Sequence, residues 1–224
     1  MKLIIAIAAL TCSLHTYSQN CSGYYFLQAN KTIEMAIYNK KGDVTATQKY
    51  TVSNVSNSGS STTADLTTEM VDKKGKPIAK GKSRMKCNGG VIMVDMKMSM
   101  PMQQGQNYET DVQADDIYME YPSSMNVGDQ LKDATMHMEM NNASGMKQTI
   151  DMEVTDRKVE GKESVTTAAG TWDCYKITQK TKMRIKTMGI GMPMNIETTE
   201  WYAPGFGVVK TESKNGKTEI VSVK

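Results

Sequence analysis

Residues 134–152 read Ala134-Thr-Met-His-Met-Glu-Met-Asn-Asn-Ala-Ser-Gly-Met-Lys-Gln-Thr-Ile-Asp-Met152. Met136, Met138 and Met140 recur at every second position, and an apolar residue with that period lines one face of a β-strand. The run Asn141 to Gly145 supplies the Asn and Gly that a hairpin turn demands. With that run as the loop, Met140 faces Met146, Met136 faces Ile150 and Ala134 faces Met152, while Glu139 lies across from Lys147. Apolar pairs on one side and an ion pair on the other define a half-buried hairpin.

The same grammar extends along the chain. Turn signals stand at Lys40-Lys41-Gly42-Asp43, Asn57-Ser58-Gly59, Lys73 to Pro77, Asn88-Gly89-Gly90 and Lys214 to Lys217, and helix signals are nearly absent. Between the turns, runs rich in Thr, Val and Met predict strands near 31–39, 44–55, 60–72, 78–87, 91–100, 108–120, 133–140, 146–159, 162–168, 172–187, 194–202, 207–213 and 218–223. Pairing Ile185 with Ile196 sets Arg184 opposite Glu197 and leaves an apolar tip from Met188 to Pro193; Met98 to Met102 is a second such tip. A long sheet with one apolar face must curl or be covered. The fold class is therefore all-β: an antiparallel meander curled into a half-barrel or a barrel-like two-layer sheet, with little or no helix.

The first residues predict export. Lys2 precedes the apolar run Leu3–Leu14, which is too short to span a bilayer, and Thr16 and Ser18 occupy the −3 and −1 positions of a cut before Gln19. Asn20 before Cys21 argues against lipid anchoring, since lipoprotein processing requires a small residue there. The expected division is a signal peptide at 1–18 and a single domain at 19–224, periplasmic or extracellular. Lys2 is the only charge in 1–18, so the net charge falls from +3 to +2. Near-balanced charge and 6% aromatic residues exclude a nucleic-acid partner. No second apolar run is long enough to span a membrane. Beyond the signal, Cys21, Cys87 and Cys174 predict one disulfide and one buried thiol, with all three pairings open.

The sequence predicts no enzyme and no cofactor. His137 is the only histidine after residue 18, and it alternates with Met136 and Met138, so it projects to the polar face. No Gly-x-Ser-x-Gly elbow accompanies it. The carboxylates from Glu109 to Glu120 lack the spacing of a calcium loop or a glycosidase pair and read as a solvated strand face. Gly189-Ile-Gly191 lacks the Lys and Ser/Thr of a phosphate loop.

Methionine content points to binding. Of 20 Met, 19 follow the signal, where only Leu27, Leu66 and Leu131 remain as leucines. Thioether side chains are flexible and repack around variable apolar guests. The candidate wall is Met96, Met98, Met100, Met136, Met138, Met140, Met183, Met192 and Met194, with Trp201 able to stack on a ligand at the sheet mouth. The expected ligand is an acyl chain or another lipid-like molecule, or else an envelope protein partner. Met-x-Met pairs also place two sulfurs on one strand face, which predicts Cu(I) or Ag(I) binding as an alternative. A purely structural envelope protein whose methionines pack on one another is the third reading.

Several phrases resemble a family of exported bacterial domains of unknown function, the TapB-like group and its relatives. They are Cys21 with Tyr25-Phe26-Leu27, Ile37-Tyr38-Asn39-Lys40-Lys41-Gly42, Cys87-Asn88-Gly89-Gly90, Val127-Gly128-Asp129-Gln130-Leu131, Ala169-Gly170-Thr171-Trp172-Asp173-Cys174-Tyr175-Lys176-Ile177, and Glu200-Trp201-Tyr202-Ala203-Pro204-Gly205-Phe206-Gly207-Val208-Val209-Lys210. The resemblance implies an antiparallel half-barrel, broadly similar to the lipoprotein-carrier fold of the bacterial envelope. It carries no catalytic residues. Cys21 and Cys87 both lie within the matching phrases, which implies a Cys21–Cys87 disulfide.

Overall fold

The computed structural model describes residues 21–100, 107–108, 117–141, 147–191 and 193–224. The export signal read at 1–18, Met102, Met192, most of the acidic run Glu109–Glu120 and the connection 142–146 lie outside the described residues. So does the side chain of Met140.

Thirteen strands form one sheet: β1 Thr32–Asn39, β2 Val44–Ser58, β3 Ser61–Asp72, β4 Pro77–Asn88, β5 Val91–Asp95, β6 Asn107–Tyr108, β7 Tyr118–Tyr121, β8 Ala134–Asn141, β9 Lys147–Thr167, β10 Gly170–Thr187, β11 Pro193–Ala203, β12 Gly207–Ser213 and β13 Gly216–Val223. The order is β7-β5-β4-β3-β2-β1-β13-β12-β11-β10-β9-β8, antiparallel throughout, and the short β6 adds to β4 in parallel. Short 3₁₀ turns stand at Cys21–Gly23, Tyr25–Leu27 and Met96–Ser99. The fold is all-β, and the sheet rolls into a nearly closed barrel.

Its edges meet at one seam. Edge strands β7 and β8 approach each other there, and Arg157 of β9, fully buried, fastens the seam from inside. Its Nη1 donates to the carbonyl of Glu120 on β7 at 3.0 Å and to that of Lys132, just before β8, at 2.8 Å. Edge carbonyls that would otherwise lack partners are thus satisfied.

Alternation holds wherever strands are regular. In β3, Thr62, Ala64, Leu66, Thr68 and Met70 point inward. In β8, Met136 and Met138 do, while His137 stays on the outer face with its Nδ1 2.7 Å from Asp151. The register of this hairpin differs from the sequence reading by two residues: Met136 faces Met152, Met138 faces Ile150, and Glu139 faces Thr149 rather than Lys147. Asn141 remains in the strand, which moves the connection to 142–146. An even shift leaves every side chain on its expected face.

The β10–β11 hairpin slips by four. Met183 faces Met194 and Arg184 faces Pro193. The tip closes as a two-residue turn at Met188-Gly189, both at positive φ (52° and 79°), with Thr187 and Ile190 exchanging backbone hydrogen bonds at 2.9 and 3.1 Å. Gly189 is what permits so tight a turn. Two further differences have local causes. The segments expected at 146–159 and 162–168 are one strand, β9, bent by register shifts against β10 near Asp156, whose φ is 54°. The strand expected at 91–100 stops at Asp95, whose buried carboxylate accepts from the backbone N–H of Lys97 at 3.0 Å and turns the chain into 3₁₀ geometry.

One barrel end is plugged. The segment Cys21–Leu27 packs beneath the β2–β3 and β11–β12 turns: Tyr25 N donates to Gly205 O at 3.1 Å, and Phe26 packs edge-on against Phe206 and Tyr50. A disulfide joins Cys21 to Cys87, with the Cα atoms 5.6 Å apart. The third cysteine, Cys174, is a buried thiol.

Candidate functional site

Among the described residues the opposite end is open. From it a cavity of about 660 Å³ runs down the barrel, beginning beside exposed Thr45 and Asn215 and ending on Phe26 of the plug. That size lies within the range of about 300–1,000 Å³ typical of small-molecule sites. Strand ends at the open mouth belong to β1, β3, β8, β10 and β12. Met188 and Ile190, 78% and 82% exposed, form an apolar hairpin tip there.

Thioethers dominate the wall. Met35, Met70, Met85 and Met119 contribute from β1, β3, β4 and β7; Met152 and Met183 from β9 and β10; and Met98 and Met100 from the 3₁₀ turn after β5 and its C-cap. Met136, Met152, Met183 and Met194 lie in register on four adjacent strands, the first three buried and Met194 41% exposed.

Of the sequence-predicted residues, Met98, Met100 and Met183 line the cavity. Met96, Met136 and Met138 are buried in the core and do not line it. Met194 sits near the mouth. Trp201 is buried away from the cavity: Lys176 and Lys210, its cross-strand neighbours, lie over its ring at 5.6 and 4.4 Å, and its Nε1 donates to Glu163. Sequence reasoning missed Met35, Met70, Met85, Met119 and Met152, which occur outside the Met-x-Met runs or singly among Thr and Lys. Their period-two placement between small or polar residues was the available signal.

It also missed a polar cluster in the wall. Glu200 of β11 pairs with Thr211, two residues before the end of β12 at Ser213, and so lies roughly 7 Å below the β12–β13 turn at ~3.3 Å per residue. One carboxylate oxygen accepts from Tyr121 Oη and the other from Gln179 Nε2, both at 2.8 Å. Gln179 in turn accepts from Arg157 Nε at 3.3 Å, and the guanidinium carbon lies 4.9 Å over the Tyr121 ring. Tyr121 stacks on Tyr202 at 4.6 Å, and Tyr202 shares a 2.6 Å hydrogen bond with Tyr24 of the plug. Burial pushes the Glu200 carboxyl above its ordinary value, against the pull of Arg157, Tyr121 and Gln179. Burial likewise raises the Tyr121 phenol, with Glu200 adding to the rise. Thr198 Oγ1, enclosed beside Gln179 and Glu200, has no partner among the described residues, nor has Arg157 Nη2.

Glu200 is the only acidic or basic side chain among the described residues lining the cavity apart from the tyrosines; the rest are apolar, hydroxyl or amide. No cluster of three or more His, Cys, Asp or Glu that could hold a metal occurs among the described residues. No helix among them is long and apolar enough to cross a membrane.

The barrel has relatives of known structure. An inferred exported protein with a YmcC-like fold from Bacteroides fragilis superposes with a TM-score of 0.68 at 23% identity, over 88% of this chain and 96% of that one. An inferred lipoprotein from Parabacteroides distasonis gives 0.67 at 20% identity, over 89% and 98%. No curated protein matches the sequence significantly. The model of the DUF3108-like family matches residues 28–224, and the chain belongs to that family of unknown function.

Proposed function

We propose that this protein is a non-enzymatic envelope protein that holds an apolar ligand inside its barrel. The single observation that carries the reading is the methionine-lined cavity, plugged at one end and open at the other. Eight flexible thioether walls conform to guests of differing shape. Each well-buried apolar group contributes about 1.5–3 kcal/mol. Export to the envelope is supported by the 1–18 signal and the Cys21–Cys87 disulfide, and by the two structural relatives, described as exported protein and lipoprotein. A single domain spanning 19–224 accords with the unbroken sheet.

Titration with the neutral fluorophore N-phenyl-1-naphthylamine tests the reading. Saturable enhancement at one site per chain is expected, weakened at least tenfold by Met183→Trp, which fills the cavity. Absence of saturable binding contradicts it.

A second reading, Cu(I) or Ag(I) binding, draws on the buried, side-by-side thioethers of Met136, Met152 and Met183. Its signature is a mass increment of one such ion that is lost in Met152→Leu.

A further inference from the structure

The polar cluster at Glu200 distinguishes among amphiphiles. A cavity built for a hydrocarbon alone has no use for an ionisable, hydrogen-bonded group in its wall, and burying one costs stability unless its partners are complete. Here the group is Glu200, and it faces a wall with no cation. The nearest guanidinium, Arg157, pulls on Glu200 from behind Gln179 but is not part of the lining; its Nη1 and Nε are committed to Glu120 O, Lys132 O and Gln179, and its buried Nη2 has no partner among the described residues. Beside Glu200 stands Thr198 Oγ1, enclosed and without a partner among the described residues. A carboxylate has about four acceptor positions, and Tyr121 and Gln179 take two of them. The lining there thus offers acceptor capacity on Glu200 and one free hydroxyl on Thr198, and no Lys or Arg among its described residues.

We infer that the cavity takes an uncharged amphiphile whose head carries hydroxyl donors, a monoacylglycerol-like or long-chain-alcohol molecule, with the head on Glu200 and Thr198 and the chain against the methionines. This rests on the apolar-ligand reading above. A fatty acid or phospholipid head would bring an anion against Glu200 with no cation in the lining to offset it. A simple ester would leave the Glu200 acceptor positions without donors.

Displacement of N-phenyl-1-naphthylamine at pH 8 by three ligands of one chain length tests the inference. 1-Monopalmitoylglycerol, methyl palmitate and palmitate differ in head chemistry alone. The expected order places the monoacylglycerol at least tenfold tighter than the ester and at least tenfold tighter than palmitate. In Glu200→Gln, which keeps the shape and replaces the carboxyl by a neutral amide, the gap between monoacylglycerol and palmitate shrinks at least severalfold. Thermal unfolding of the same samples reports whether that variant is folded, and the wild-type ligand order decides the matter if it is not. Palmitate binding as tightly as the monoacylglycerol overturns the inference while leaving the apolar-ligand reading intact, and so does an unchanged order in folded Glu200→Gln. Failure of the fluorophore and of all three ligands to bind overturns both.

Discussion

Removing the disulfide isolates what holds the plug. Cys21 and Cys87 are 66 residues apart in sequence, so their link closes a long loop in the unfolded chain. On the chain-entropy account a loop of that length destabilises the unfolded state by on the order of 4 kcal/mol at 25 °C. The double variant Cys21→Ala, Cys87→Ala is therefore expected to lose about that much. In urea, with a slope near 2–3 kcal/mol per molar for a chain of this size, the midpoint falls by roughly 1.3–2 M. Phosphine reduction of the wild type controls for the lost sulfur atoms, since Cys87 is fully buried. The plug also has Tyr24 on Tyr202 and Phe26 against Tyr50 and Phe206, so the folded variant keeps its cavity floor and still binds the neutral fluorophore. A loss below about 1 kcal/mol in both reduced and substituted protein refutes the loop-closure reasoning. A folded variant that no longer binds fluorophore refutes the independence of floor and disulfide.

Burial pushes the Cys174 thiol up to about 12. Iodoacetamide at pH 8 should therefore leave it unmodified in the native protein and label it within minutes in urea; rapid native labelling contradicts this burial. Truncating Met152, 2% exposed, should cost about 2 kcal/mol, the low end for buried Met→Ala, because the new space joins an existing cavity; urea unfolding checks it, and a loss near 5 kcal/mol indicates a filled core instead. Burial raises the Glu200 and Asp95 carboxyls, so the folded state binds these protons more tightly than the unfolded chain. Their contribution to stability is greatest below the ordinary values of 4.5 and 3.8 and declines as pH rises through the folded-state values. The stability deficit of Glu200→Gln against wild type should accordingly narrow from pH 5 to pH 8; a deficit that widens over that range contradicts the assigned direction.

The sheet was legible in the sequence because its strands keep period two even where their composition is odd. The 134–152 hairpin shows the limit. Faces follow from alternation, but a register shifted by an even number satisfies the same alternation, and only the length of the turn decides between them. At the β10–β11 tip the apolar residues Met188 and Ile190 hid a two-residue turn that Gly189 makes possible. The Met96–Met100 run broke the rule for another reason: Asp95 reads as one more strand residue, yet its buried carboxylate ends the strand. The polar cluster was invisible in principle. Tyr121, Arg157, Gln179 and Glu200 stand on four strands, and no spacing in the sequence brings them together. Trp201, expected to stack on a ligand, lies instead beneath Lys176 and Lys210, while its neighbour Glu200 turns inside.

The most direct measurement is a native mass spectrum of the protein purified gently from its own envelope fraction. The account predicts an added mass of several hundred daltons, one per chain, lost on mild denaturation and replaceable by added monoacylglycerol. A bare polypeptide mass in every preparation, with no uptake of any added amphiphile, would contradict it.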